Sequence, residues 1–265
     1  MFLRHFAATL ATLLAFAVSS FATAQESCPV PKDVYRSVVM LRSDVGFGSG
    51  WFYGDGKVIV TAAHVAEVMH LQRSDNRVRI EYSPWGVPTK AIVELDLLYM
   101  SNAAYVSQDI AVLGLKEDLP GILPLKIAEN EPAKLSYGFT AGYADGELTA
   151  FPVKVIGITQ YQFRGNREPG DVLAFSGLHQ NHIYPLIPGS SGSPILDCTG
   201  SVVAMMSIID SIPALRIMTR QVRGKKYSTT TATNFGPLAG EISKAVARAV
   251  PLDKVFLEGV EGESK

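Results

Sequence analysis

The sequence predicts an all-β protein closed by one late helix. Three observations predict it. Short strand-like runs recur along the chain, each bounded by turn residues. The 265 residues include 23 Gly and 15 Pro, enough to serve many turns. Only one stretch, 237–250, carries apolar residues (Ala239, Ile242, Val246 and Val250) near a 3.6-residue period. Many short strands followed by one helix read as a sandwich or a pair of barrels.

The elements follow in order. Residues 34–41 predict a strand. Residues 46–53 interleave glycine with aromatics, as in a twisted or bulged strand. Asp55-Gly56 is a hairpin signal, and the β-branched run 57–61 is its return strand. Residues 62–70 predict a short helix. Residues 78–82 alternate apolar and polar, and 91–98 and 110–115 predict further strands. Pro120-Gly121, Ala141-Gly142 and Asp145-Gly146 predict breaks. Residues 151–159, 171–175 and 201–208 complete the strands, with 228–233 as a candidate addition. No internal repeat or low-complexity linker interrupts the chain.

Composition excludes several classes. Hydrophobic residues make up 47% and charged residues 18%, which excludes a disordered chain. With 24 Lys+Arg against 25 Asp+Glu the net charge is -1, leaving no basic excess to neutralise phosphates, so no nucleic-acid partner is expected. Two cysteines are too few for a disulfide-dense scaffold or a four-cysteine zinc site. No metal-ligand spacing or phosphate-cradling loop occurs, so neither metal nor cofactor is expected.

Residues 1–24 read as a secretory signal peptide. Arg4 and His5 precede an apolar run over 6–18, and Ala22-Thr23-Ala24 supplies a cleavage pattern. The run is too short to span a bilayer, and no later stretch is long enough. The expected mature chain is 25–265, exported to a periplasm or released, with no membrane span. Its cysteines, Cys28 and Cys198, meet an oxidising compartment, and their even count predicts one disulfide; two free thiols are the alternative.

Three motifs carry chemistry. Thr61-Ala62-Ala63-His64 runs a strand into small residues and then an imidazole. Asp109 stands at the mouth of the apolar strand Ile110-Ala111-Val112-Leu113, where an acid is costly to bury unless something such as an imidazole N–H holds it. Gly189-Ser190-Ser191-Gly192-Ser193-Pro194 is a Gly-framed turn carrying a serine. Each alone is unspecific, but the order His…Asp…Ser is one of the arrangements that activate a nucleophile. Ser190 and Ser193 compete with Ser191, yet only Ser191 has a glycine two residues before it and another just after.

On these motifs the chain resembles the trypsin-like serine proteases of the chymotrypsin fold. Its style is closer to the bacterial HtrA-like and glutamyl-endopeptidase-like branches, without sequence for a PDZ domain. The resemblance covers 46–208. It implies two six-stranded antiparallel β-barrels, divided near 118–136, with a C-terminal helix and the site in the cleft between them. It implies a protein or peptide substrate, with Ser191 as nucleophile, His64 as base and then acid, and Asp109 as the group that orients the imidazole. It further implies an oxyanion hole from the backbone of Gly189 and Ser191, and Ser207 as support for the aspartate.

Two departures stand out. Ser190 replaces the acid that digestive relatives use to bind a new N-terminus, so activation by N-terminal insertion is not expected. Ser193 stands where many relatives have glycine. The specificity pocket is expected along 183–187 and 207–210. Pro185 disfavours cleavage after Lys or Arg, Met206 disfavours Glu, and Ile209 shortens the pocket, which together predict small or medium apolar residues before the cut. Arg216, Arg220, Arg223, Lys225 and Lys226 form a basic stretch that reads as a solvated hairpin or as a site for an acidic partner. Two other readings remain: a latent or inactive protease-fold binding module, which Ser190 keeps open, and an ester hydrolase. The Gly-x-Ser-x-Gly elbow of the α/β-hydrolases is absent.

Overall fold

A closed barrel occupies the first half of the chain. The structure is a computed structural model that describes residues 27–70, 76–101, 106–161, 170–177, 189–210, 220–222, 225–227 and 233–250. The barrel strands are β1 (Val38–Arg42), β2 (Phe47–Tyr53), β3 (Val58–Thr61), β4 (Arg77–Tyr82), β5 (Thr89–Met100) and β6 (Ala111–Leu115). They pair antiparallel in the order β1-β2-β3-β6-β5-β4, and the pairing of β4 with β1 closes the ring. In β4 the alternation read from sequence puts Val78, Ile80 and Tyr82 inward. Asp55-Gly56 makes the expected β2–β3 turn: Gly56 takes φ +91, and the Lys57 N–H donates to Asp55 Oδ1 at 2.9 Å.

Residues 34–37 differ from expectation, forming a single 3-10 turn (Val34–Ser37) before β1. The Val34 N–H bonds to Pro31 O and the Arg36 N–H to Asp33 O. This turn aims Arg36 at the Gly121 carbonyl (2.8 Å) and over the Trp85 ring. Helix α1 (Ala63–His70) leaves the end of β3 and buries Val65, Ala66 and Met69. It packs close to β2 because Gly48 faces Val65 with no room for a Cβ between them.

The second half builds the other barrel from β7 (Tyr137–Ala144), β8 (Glu147–Tyr161), β9 (Gly170–Gly177), β10 (Pro194–Asp197), β11 (Val202–Met205), β12 (Ile208–Asp210) and β15 (Thr233–Gly236). The sheet order is β11-β10-β7-β8-β9-β15-β12. Its two ends, β11 and β12, are successive stretches of one run broken at Met206-Ser207, so six strand positions come round on themselves. The protein is therefore two six-stranded antiparallel barrels with a short C-terminal helix. The break expected at Asp145-Gly146 is the β7–β8 hairpin turn, with φ +53 and +81. The break expected at Ala141-Gly142 is wrong, because both residues lie inside β7. Glycine is needed there, since a Cβ on Gly142 would collide with the Ser193 hydroxyl.

Residues 116–136 connect the barrels. Leu125 bridges to Tyr53 on one side and Ile127 to Val202 on the other. The strands β13 (Arg220–Val222) and β14 (Lys225–Tyr227) form a small hairpin that carries Arg220, Lys225 and Lys226 of the basic stretch; Arg216 and Arg223 lie outside the described residues. Helix α2 (Ala239–Ala249) buries Ile242, Ala245 and Val246 against a core shared with Leu95, Val112 and Met205. Glu241 in its first turn and Arg248 in its last suit the helix dipole. No helix among the described residues is long and apolar enough to cross a bilayer.

Cys28 and Cys198 are joined by a disulfide that closes a loop of 170 residues. Closing so long a loop removes much freedom from the unfolded chain. Replacing both cysteines with serine is expected to lower the unfolding free energy by about 2–5 kcal/mol, read as an earlier urea midpoint with little change in slope.

Candidate active site

Each site residue is delivered by a strand end. Thr61 ends β3, and the small buried Ala62 and Ala63 let the chain turn at once into α1, which places His64 in its first turn. Asp109 follows a 3-10 turn (Val106–Gln108) and precedes β6. That turn is clamped by Ser101, whose N–H and hydroxyl both bond to Ile110 O and whose hydroxyl also accepts the Ile110 N–H. Ser207 fills the break between β11 and β12, held by its N–H to Phe235 O at 3.1 Å.

These elements converge on one carboxylate. Asp109 is 1% exposed. Its Oδ1 accepts the His64 backbone N–H at 3.0 Å, and its Oδ2 accepts His64 Nδ1–H at 2.7 Å and the Ser207 hydroxyl at 2.5 Å. A buried carboxylate is tolerable when donors surround it this way. A carboxylate only accepts, so Nδ1 is the protonated nitrogen of the neutral ring and Nε2 is free to accept a proton. Burial disfavours the charged ring, but the hydrogen bond and charge of Asp109, with the charge of Glu67 added, outweigh it and hold the His64 pKa above its ordinary value of 6.5.

The serine sits in a turn fixed by its backbone. Gly189 and Gly192 take φ +95 and +87. A Cβ on Gly192 would run into the Ser49 carbonyl, and one on Gly189 into the Phe47 ring and Tyr143 O. The Gly192 N–H bonds to Met206 O, the Ser193 N–H to Ser190 O and the Ser49 N–H to Ser191 O. Of the three serines, Ser190 and Ser193 are buried, and Ser191 is the accessible one. Its hydroxyl donates to Ser207 O at 3.2 Å and makes no hydrogen bond to the imidazole. Ser207 thus meets Asp109 through its hydroxyl and Ser191 through its carbonyl.

The residues expected in the specificity pocket are less fully seen. Pro185 lies outside the described residues. Met206 is buried among Val153, Leu173 and Phe175 in the second barrel's core. Ile209 lies in β12 opposite Asn234. Sequence reasoning gave no role to the side chains of Ser49 and Tyr143, and none to the Thr61 hydroxyl. The Thr61 hydroxyl bonds to Ser49 O at 2.6 Å, and the Tyr143 N–H bonds to Ser49 Oγ at 2.8 Å. The available signal for Ser49 was its place between two glycines. Among the described residues no cluster of three or more His, Cys, Asp or Glu is placed to hold a metal ion.

The family model of the trypsin-like peptidase domain matches residues 48–205. No curated protein matches the chain. Among solved structures, the active form of the Rv3671c protease from M. tuberculosis is similar with a TM-score of 0.57 at 20% identity, over 84% of this chain and 88% of that one. Deg5 is similar with a TM-score of 0.51 at 20% identity, over 67% and 81%. The MamO protease domain from Magnetospirillum magneticum is similar with a TM-score of 0.54 at 13% identity, over 80% and 96%. At these identities the likeness is one of fold.

The electrostatics around His64 generate a titration prediction. Its ring resonance, followed by NMR against pH, is expected to titrate above 6.5. In Asp109→Asn the stabilising charge is gone while burial remains, so the midpoint is expected to move down.

Proposed function

The chain belongs to the trypsin-like peptidase family, whose members are serine proteases, and from that premise we propose that it is an exported endopeptidase working through His64, Asp109 and Ser191. The observation that carries this reading is the buried Asp109 carboxylate bonded to both the ring and the backbone of His64. A peptide carbonyl bound beside Ser191 would be attacked by its Oγ while His64 Nε2 takes the hydroxyl proton. The N–H groups of Gly189 and Ser191 would receive the developing oxyanion, each donor being worth about 3–4 kcal/mol. His64 then gives the proton to the leaving amine, and a water repeats the sequence to free the acyl group. Asp109 keeps its charge throughout and stabilises the imidazolium.

In the resting arrangement the Ser191 hydroxyl points to Ser207 O. Rotation about its side-chain bond to another staggered well would release this hydrogen bond, and apo sites often tighten only when substrate binds. The preference for small or medium apolar residues before the cut is inferred from the sequence positions of Pro185, Met206 and Ile209. The Cys28–Cys198 bridge supports an oxidising, extracytoplasmic location.

A second reading, a latent or inactive binding module, is favoured by the same Ser191–Ser207 bond and by Ser190 in place of an acid. Labelling with a fluorophosphonate separates the two. One adduct mapping to Ser191 and absent in Ser191→Ala is expected, with peptide hydrolysis falling about 10⁶-fold in that variant. No adduct on folded, disulfide-bonded protein would sink the endopeptidase reading and favour the latent one.

A further inference from the structure

Ser49 lies within β2, is fully buried, and uses its polar atoms at the junction between the barrels. Its N–H donates to Ser191 O at 2.8 Å. Its hydroxyl donates to Gly189 O at 2.8 Å and accepts the Tyr143 N–H at 2.8 Å. Its carbonyl accepts the Thr61 hydroxyl at 2.6 Å. The strand register sets Ser49 opposite Met40 of β1, so its backbone is fixed by the first barrel. One side chain therefore ties the first barrel to β7 and to the turn that carries Ser191.

The turn needs such a tie. Gly189 and Gly192 both lie in the left-handed region, and residues without a Cβ leave a loop free to take other shapes. Peptide groups are planar. Holding the carbonyls of Gly189 and Ser191 therefore fixes the planes on either side of the 190–191 peptide, which carries the Ser191 N–H. The same grip on Gly189 restrains its Cα, to which its own amide nitrogen is bonded. Removing the hydroxyl would leave Gly189 O and the Tyr143 N–H buried and unpaired, and the turn would gain by rotating to find other partners.

We infer that Ser49 is a positioning residue for the oxyanion-binding turn: its hydroxyl holds Gly189 O so that the N–H groups of Gly189 and Ser191 converge. This rests on the reading of Ser191 as nucleophile. Ser49 touches no reacting atom and acts through the turn.

The test compares Ser49→Ala, Ser49→Thr and Ser37→Ala in the full chain. Ser37 supplies a control, because its buried hydroxyl has no hydrogen-bond partner among the described residues. The first readout is fluorophosphonate inactivation, split into reversible affinity and bond-forming rate. Ser49→Ala is expected to slow the bond-forming rate about 10- to 100-fold, the scale of losing part of an oxyanion site, with affinity little changed. Ser49→Thr restores the rate, and Ser37→Ala does not change it. The second readout is amide hydrogen exchange at residues 189–191 in a Ser191→Ala background, expected to quicken with Ser49→Ala alone. If Ser49→Ala does not fold, Thr61→Val loosens the Ser49 carbonyl more gently and is expected to move both readouts the same way. A lowered melting temperature with rate and exchange unchanged overturns the inference, as does a Thr variant as slow as the Ala variant. If the wild-type protein takes no label, the catalytic reading fails, while the exchange measurement still decides whether Ser49 orders the turn.

Discussion

A buried negative charge governs how this molecule is put together. Asp109 sits almost wholly out of water, and an uncompensated carboxylate there would cost more than a domain's whole margin of stability. Its donors come from two places: His64 from the first barrel, and Ser207 from the strand that completes the second. The two barrels satisfy it together. The electrostatic requirement of one side chain thus becomes a requirement that two sheets meet in one relation.

Around that charge the packing is set by what is missing. At Gly142, Gly189 and Gly192 a single carbon would strike a neighbour on a different element. These absences bring β2 and the serine turn close enough for the Ser49 N–H to reach Ser191 O, and β7 close enough for the Tyr143 N–H to reach the Ser49 hydroxyl. Tyr143 shows the reverse arrangement: its ring is buried, and burial together with the nearby Glu81 charge pushes its hydroxyl pKa up.

How much could be read in advance depended on distance along the chain. The Asp55-Gly56 turn, the alternation at Val78, Ile80 and Tyr82, and the period of Ile242 and Val246 are local, and each is visible as pattern. His64, Asp109 and Ser191 are far apart, but each sits in a short stretch with its own character, so their order could be recognised. β7 is hidden because Ala141-Gly142 looks like a breaker, whereas Gly142 is required by the approach of Ser193, as Gly138 is by that of Leu196 O. Ser49 is hidden for the same reason, since its hydroxyl partners lie 94 and 140 residues away. No window of sequence contains such a contact. The turn of Val34–Ser37 is mistaken for strand because its apolar residues suit either state, and the choice is made by Arg36 reaching Gly121.

The disulfide also imposes an order in time. A chain is made from its N-terminus, and Cys28 emerges long before Cys198. The bond cannot form until the chain has been made as far as Cys198. The second barrel waits longer still, for β15, and with it comes the final seating of Ser207 beneath Asp109. A nascent chain therefore carries the histidine and the aspartate without the partner that steadies them. The three elements that meet at Asp109 are therefore complete only after β15 has been made.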